Sequence, residues 1–158
     1  MVKAQVRAYL AHTFCHRHYV RDILTPRVNA IGITTRNPFY EPDGSTIRKE
    51  IAFADSPQCK DDELARLVRM IRSGNKQIVP RDLGYIDRTD FTIAYMTDIS
   101  AGTTSEIFYT GVIKRRPVFL LTSNDNITNH PWIVYSCRRG KICKNIEEII
   151  RVLKKRYG

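Results

Sequence analysis

The segment Asp82–Val118, DLGYIDRTDFTIAYMTDISAGTTSEIFYTGVIKRRPV, predicts a strand, a loop, a helix and a second strand. Its run FTIAYM (91–96) is mostly apolar, with β-branched and aromatic residues, as buried parallel strands are. The polar stretch Ser100–Thr104 predicts a loop, and the helix that follows has Glu106 in its first turn. RPVFLL (116–121) is the next predicted strand. Ligands of open α/β sheets bind where loops leave the carboxyl ends of strands, so we expect Glu106 to lie at such a site.

The rest of the chain continues this alternation, which predicts one α/β domain over residues 1–158. We expect a doubly wound, flavodoxin- or Rossmann-like parallel sheet of about five strands flanked by helices. The other predicted strands are Gln5–Leu10, Val28–Thr35 and Trp132–Cys137, with Lys76–Val79 as a candidate short strand. The other predicted helices are His16–Leu24, ended before Pro26, the amphipathic Asp61–Arg72, a helix or turn at Asp82–Arg88, and a last helix capped by Asn145. A long loop, Phe39–Ala54, is expected on the substrate side.

The composition excludes several classes of protein. The chain has 158 residues, 42% of them hydrophobic, and no apolar run approaches the ~18 residues of a membrane span. It also lacks a signal-peptide pattern at its start, so we expect a cytoplasmic protein with no membrane partner. The four cysteines lack zinc-site spacing, and the histidines of HTFCHRH (12–18) do not share one helix face. We therefore predict no metal and no cofactor.

The net charge of +10 admits two readings. The cations are dispersed, and their three densest clusters, Lys114–Arg116, Arg138–Lys141 and Lys154–Arg156, lie near the ends of predicted elements. Cations at helix C-termini complement the helix dipole, which makes a solvated basic surface the simpler explanation. The second reading is attraction of small phosphorylated substrates. Nucleic acid is not an expected partner on this pattern.

Three separated landmarks occur in order along the chain: Tyr9-Leu10-Ala11, then Asp82-Leu83 before a strand begun by Asp90, then the turn AGTTSE (101–106) followed by Gly111 and Arg116-Pro117-Val118. Together they resemble the nucleoside 2-deoxyribosyltransferase superfamily, which includes 2′-deoxynucleoside 5′-monophosphate N-glycosidases. The resemblance covers most of the chain. It implies an enzyme of N-glycosidic bond chemistry that takes a nucleoside or nucleotide, needs no cofactor and forms a homodimer or higher homo-oligomer.

The resemblance also implies three catalytic residues. Glu106 is the implied nucleophile, Asp82 the acid that contacts the base and relays its proton, and Tyr9 the hydroxyl that contacts the nucleophile. These types suit the chemistry, because positive charge builds on the anomeric carbon while the base leaves with a proton. Local sequence alone offers other roles: a capping-box glutamate paired with Thr103, an N-cap at Asp82 and a core tyrosine. Asp90 is expected to be structural.

Ser100 is the position that discriminates between substrates. In the deoxyribosyltransferases an aspartate six residues before the nucleophile contacts the sugar 5′-hydroxyl, and in the nucleotide N-glycosidases a serine there faces the 5′-phosphate. This chain has Ser100 six residues before Glu106. A hydroxyl donates to phosphate, whereas a carboxylate repels it. Asp98, two residues away, keeps the transferase reading open.

Further binding residues follow from the same resemblance. Gly102 and Thr103 belong to the turn beside Ser100. Thr13, Phe14, His16 and Arg17 belong to the loop that closes over the sugar or phosphate, although the glycines usual in the nucleotide hydrolases are absent from it. Asn129 is the candidate for the residue that a neighbouring subunit contributes. The predicted function is cleavage of the N-glycosidic bond of a (deoxy)nucleoside 5′-monophosphate. One alternative is base exchange between deoxynucleosides, and a second is non-catalytic binding of a nucleotide or nucleic acid.

Overall fold

The computed structural model describes residues 5–40 and 75–158. Within these ranges five strands form one parallel sheet: β1 (Arg7–Ala11), β2 (Thr34–Arg36), β3 (Phe91–Tyr95), β4 (Val118–Leu121) and β5 (Lys141–Cys143). Their order is β2-β1-β3-β4-β5. The expected doubly wound α/β fold with a sheet of about five strands is confirmed.

The strand order creates a switch point between β1 and β3. After β1 the chain crosses to one side to form β2, and β3 then pairs with the other side of β1, with Ala8 opposite Phe91 and Ala11 opposite Ala94. The loops that follow β1 and β3 therefore leave the sheet in opposite directions and open a crevice at the carboxyl ends of the strands. We call this side of the sheet the carboxyl edge.

Helices cover both faces of the sheet, as buried parallel strands require. They are α1 (Arg17–Tyr19), α2 (Thr25–Asn29), α3 (Asn75–Asp87), α4 (Ala101–Phe108), α5 (Asp125–Thr128), α6 (Pro131–Ser136) and α7 (Ile146–Tyr157). On one face of the sheet, alternate strand residues pack against α7 and against the helical residues between β1 and β2. This core includes Leu10, Ile93, Val20, Leu24, Ile149 and Leu153. The other packs the intervening strand residues on α3, α4 and α6, among them Tyr9, Leu120, Tyr85, Ile107 and Ile133.

The first helical region is longer than predicted. It begins as a 3₁₀ turn at Phe14–His16, continues through α1 and a π-helical turn at Val20–Leu24, and ends with α2. Pro26 lies in the first turn of α2, which follows the π-helical turn directly, so the prediction that the helix ends before Pro26 was wrong. The predicted strand Val28–Thr35 was wrong over most of its length, because α2 runs to Asn29 and a turn follows, and only Thr34–Arg36 is extended.

Two other apolar runs were assigned to the wrong element. Trp132–Cys137 was predicted as the last strand, but Pro131–Ser136 is the helix α6, and the last strand is the short segment Lys141–Cys143. A short run of aromatic and β-branched residues does not separate strand from helix by itself, and the proline at the first helical position was the better signal. Lys76–Val79 lies in α3, so that candidate strand was also wrong.

The predicted last helix is confirmed, with Asn145 as its cap: Asn145 Oδ1 accepts a hydrogen bond from the Glu148 N–H at 2.9 Å. The helix Asp61–Arg72 and the loop Phe39–Ala54, from residue 41 onward, lie outside the described residues. Of the helices in the described ranges, none has both the length and the apolar character needed to cross a bilayer.

Candidate active site

Tyr9 and Glu106 meet at the carboxyl edge. Tyr9 is fully buried on β1, and its Oη donates a hydrogen bond of 2.7 Å to Glu106 Oε1 on α4. The contact exists because β1 and β3 are neighbours, so the helix after β3 begins above the end of β1. The hydroxyl of this buried core tyrosine is thus hydrogen-bonded to Glu106, the carboxylate predicted to be the nucleophile.

The position of Glu106 within its helix differs from the prediction. The helix begins at Ala101, which puts Glu106 in the second turn, and Ser100 is the N-cap, with its Oγ accepting from the Thr103 N–H at 3.5 Å. The capping box between Thr103 and Glu106 is therefore not formed. The helix dipole falls off within the first turn, so it contributes less to Glu106 than we expected.

Burial controls the ionisation of this pair. Loss of solvent raises the pKa of Glu106 to about 8, and the negative charge of Asp82 acts in the same direction. The hydrogen bond from Tyr9 and the positive charge of Arg81 oppose that rise. Burial first, and then the two carboxylates, raise the pKa of Tyr9 well above its usual value. Tyr9 therefore stays protonated and remains a donor to Glu106 at any pH the protein meets.

Asp82 approaches the pair from α3. It lies inside this helix rather than before it, so the N-cap alternative was wrong. Burial raises the pKa of Asp82, and the neighbouring guanidinium opposes that effect. Arg81 Nη2 lies 2.9 Å from Asp82 Oδ1, and both side chains are largely buried. Arg81 was not predicted as a site residue, because local sequence does not distinguish a buried arginine from an exposed one.

Hydrogen bonds centred on Thr97 join three of the loops at the carboxyl edge. Thr97 follows β3, and its Oγ1 lies 2.9 Å from His16 Nε2, in the loop after β1. Its carbonyl accepts from Asn124 Nδ2, in the loop after β4, at 2.7 Å. The His16 ring packs on Tyr95, with centroids 4.9 Å apart. The loops that carry Asp98, Ser100 and His16 are thereby held together.

The loop after β1 is ordered by its own side chains. His12 is buried; one ring nitrogen contacts the Thr13 carbonyl at 2.9 Å and the other contacts Asn37 Oδ1 at 3.0 Å, after β2. The Arg17 guanidinium carbon lies 3.9 Å from the Phe14 ring centroid, and Nη1 donates to the Phe14 carbonyl. The predicted binding residues Thr13, Phe14, His16 and Arg17 all lie at the carboxyl edge, in a loop whose shape these contacts fix.

The start of α4 offers groups suited to an anion. The N–H groups of Ala101 and Gly102 belong to the first turn, where a helix has no internal acceptors. Thr103 is buried, Ser100 is partly exposed and Asp98 is exposed beside them. Thr104 Oγ1, which the sequence analysis did not select, is buried and has no hydrogen-bond partner in the described part of the chain.

Asn129 stands apart from these residues. It is exposed at the end of α5, and its Nδ2 donates to the Asp125 carbonyl at 2.8 Å. Among the described residues no hydrogen bond joins it to Tyr9 or Glu106. The role of Asn129 in the site of a neighbouring subunit therefore stays a prediction.

The arrangement provides a protonatable carboxyl pair over a sheet edge, next to hydroxyls and helix N–H groups. Within residues 5–40 and 75–158 no group of three His, Cys, Asp or Glu side chains is placed to hold a metal ion. No protein family model matches the sequence, and no curated protein is significantly similar to it. The geometry of Tyr9, Asp82 and Glu106 therefore carries the argument about function.

Proposed function

We propose that this chain cleaves the N-glycosidic bond of a (deoxy)nucleoside 5′-monophosphate, with Glu106 as the nucleophile. The observation that supports this most is the 2.7 Å hydrogen bond from Tyr9 to Glu106 at the switch point of the sheet. A structural glutamate would cap its own helix or face solvent. Glu106 instead accepts a hydrogen bond from the core residue Tyr9, and its ionisation responds to Asp82 and Arg81.

The proposed reaction has two steps. The ionised Glu106 attacks the anomeric carbon, the N-glycosidic bond breaks, and its electron pair leaves with the base, which takes a proton from Asp82. Water then attacks the anomeric carbon of the glycosyl ester and gives a proton to the Asp82 carboxylate, while Glu106 leaves as a carboxylate. Tyr9 holds the carboxylate in line and, as a donor, favours its ionised form.

Selection of the monophosphate rests on the start of α4. The Ser100 hydroxyl and the N–H groups of Ala101 and Gly102 are suited to phosphate oxygens, and a helix N-terminus favours negative charge. The net charge of +10 adds long-range attraction for phosphorylated molecules.

Base exchange between deoxynucleosides is the second candidate. It shares Glu106, and a second base rather than water resolves the glycosyl ester. The observation that favours it is Asp98, an exposed carboxylate that interacts electrostatically with His16 across the crevice. Asp98 would accept a hydrogen bond from a sugar 5′-hydroxyl, as the aspartate of the transferases does in the family that the chain resembles. Non-catalytic nucleotide binding is the third candidate.

We also propose that the active form is a homo-oligomer. Three apolar side chains on or near α6 are more than two-fifths exposed: Ile113, Trp132 and Val134. Trp132 lies three residues after Asn129, so a partner seated on this face brings its own Asn129 close to the interface. A monomeric mass by light scattering at micromolar concentration, with full activity, would contradict this proposal.

The test is incubation with a panel of ribo- and deoxynucleosides and their 5′-monophosphates, with and without an acceptor base, with free base measured by chromatography. We expect release of base from monophosphates without an acceptor. Intact mass spectrometry of rapidly quenched samples should show a sugar-phosphate adduct in the wild type and none in Glu106→Gln. Glu147→Gln, the same change at an exposed glutamate, is the control. Release that requires an acceptor base favours the transferase, and no release from any substrate contradicts the enzyme proposal.

A further inference from the structure

Six exposed cations converge at the opposite edge of the sheet, near the amino ends of β4 and β5: Arg115, Arg138, Arg139, Lys154, Lys155 and Arg156. They come from the three basic clusters that are far apart in the sequence. Arg156 Nη1 donates to the Arg139 carbonyl at 3.0 Å, which joins the end of α7 to the loop before β5. Gly140 packs on the backbone of Val118, which joins that loop to the start of β4, three residues after Arg115. We call this surface the basic edge.

The six cations of the basic edge have no ion-pair partner in the part of the chain that the structure describes. Within the described ranges no ion pair links any of these six side chains to a carboxylate, whereas the nearby Lys114 and Lys141 pair with Asp87 and Glu148. The helix dipole accounts for a cation at each helix end. The strand order brings three such ends to one edge, where clustered like charges repel one another unless an anionic partner neutralises them.

The chemistry of the basic edge favours one class of polyanion. Four of its six cations are arginines, whose planar fork suits phosphate oxygens. Tyr135, at the end of α6, is 55% exposed, and the Arg138 guanidinium carbon lies 4.0 Å from its ring centroid. An exposed aromatic ring beside arginines is the combination on which single-stranded bases stack while their phosphates are neutralised.

We propose that the basic edge binds single-stranded nucleic acid, with the cations on its phosphates and Tyr135 stacked on a base. The proposal goes beyond the proposed function and does not depend on it. The carboxyl edge lies a strand length away, roughly 17 Å for the five residues of β3, so the surface proposed to hold the polymer is separate from the crevice at Glu106. The bound polymer is a partner that localises the protein, not its substrate.

The test is fluorescence anisotropy of a labelled 20-nucleotide oligothymidylate with the full chain, over a range of salt concentrations. Each phosphate contact on a single strand contributes about −0.7 to the slope of log affinity against log salt. Four to six contacts predict a slope of about −3 to −4. Arg138→Gln combined with Arg139→Gln should reduce its magnitude by about 1.4 and weaken binding. Tyr135→Ala should weaken binding by about 5-fold or more.

The control is Arg27→Gln combined with Lys144→Gln, which removes the same charge from ion pairs outside the basic edge. Equal loss in this variant would overturn the proposal, because binding would then follow net charge rather than the surface. Absence of binding at 50 mM salt, or binding to phosphatidylserine vesicles but not to the oligonucleotide, would also overturn it. Glu106→Gln should bind the oligonucleotide like the wild type, so failure of the proposed enzyme activity and failure of this proposal are distinguishable.

Discussion

At the carboxyl ends of β1 and β3, carboxylates are drawn into a crevice where burial raises the pKa of Glu106 to about 8. At the amino ends of β4 and β5, six cations stand in solvent without a carboxylate partner in the described part of the chain. The carboxyl edge has a few charges that are desolvated and fixed by hydrogen bonds such as that from Tyr9. The basic edge has six cations at the surface, two of which make local contacts: Arg156 with the Arg139 carbonyl and Arg138 with the Tyr135 ring. One parallel sheet thus has charges suited to short-range interaction at one edge and charges suited to long-range attraction at the other.

Replacement of Glu106 should lower turnover strongly and leave the basic edge unaffected. Glu106→Gln preserves an acceptor for Tyr9 but removes the proposed nucleophile, and we expect turnover to fall by at least ~10²-fold. The measurement is kcat/KM for the preferred monophosphate, with oligonucleotide affinity measured on the same sample. Turnover near the wild-type value would show that Glu106 is not the nucleophile.

Ser100 is the residue of the carboxyl edge that is proposed to bind the substrate phosphate, so its replacement tests the preference for monophosphates over nucleosides. A hydrogen bond to a charged group is worth roughly 1.5–3 kcal/mol, so Ser100→Ala should lower kcat/KM for monophosphates about 10- to 150-fold and barely affect nucleosides. Ser100→Asp keeps an N-cap but repels phosphate, and should shift preference toward nucleosides.

The control for Ser100 is Ser105→Ala, which removes a hydroxyl from the exposed side of the same helix. An equal loss in this variant would assign the effect to helix stability. A wild type that already prefers nucleosides would move Asp98 and the transferase to first place.

A third prediction concerns the pH dependence of kcat/KM on its acid side. In the proposed mechanism the ionised carboxylate is the nucleophile, so kcat/KM should fall as pH drops through the raised pKa of Glu106, whose value is about 8 in the free protein. Tyr9→Phe removes a donor to the carboxylate and should move the limb to higher pH. Asp82→Asn removes a negative neighbour and should move it to lower pH, by up to about one unit in each case. Shifts of the same sign in both variants would contradict the arrangement.

The smallest expected effect is on stability. Glu106 binds a proton more tightly in the folded state than in the unfolded chain, so folded stability falls as pH rises from about 4.5 to about 8. Glu106→Gln should therefore be more stable than the wild type above pH 8, by about 1–3 kcal/mol since the residue is only half-buried, and the gain should vanish near pH 4.5. Denaturant unfolding at both pH values measures it, and a gain independent of pH would contradict burial of the charge.

The central segment could be predicted because its signals are local. Phe91–Tyr95 is apolar, a polar turn follows, and the cap at Asn145 obeys the same kind of short-range rule. Trp132–Cys137 and Pro26 were mispredicted because each short segment is compatible with two structures, and packing on the sheet decides between them.

Contacts between residues that are distant in the sequence could not be predicted from local sequence patterns either. The hydrogen bond between Tyr9 and Glu106 joins residues 97 positions apart and was expected only from the family resemblance. The contact between Arg139 and Arg156, and with it the basic edge, was not expected at all. The basic clusters looked dispersed because strand order, which brings them together, is not written in any one of them.

Gly111 packs directly on the backbone of a neighbouring helix, which leaves no room for a larger residue at position 111. It lies in the π-helical turn Tyr109–Ile113 that continues α4, and a Cβ at this position would lie 1.9 Å from the Ser136 carbonyl oxygen of α6. The helix that carries Glu106 is thus seated directly on the backbone of its neighbour, with no side chain between them to adjust. A library that aims to change substrate choice should leave residue 111 as glycine and vary the loops after β1 and β3, where side chains rather than backbone fill the space.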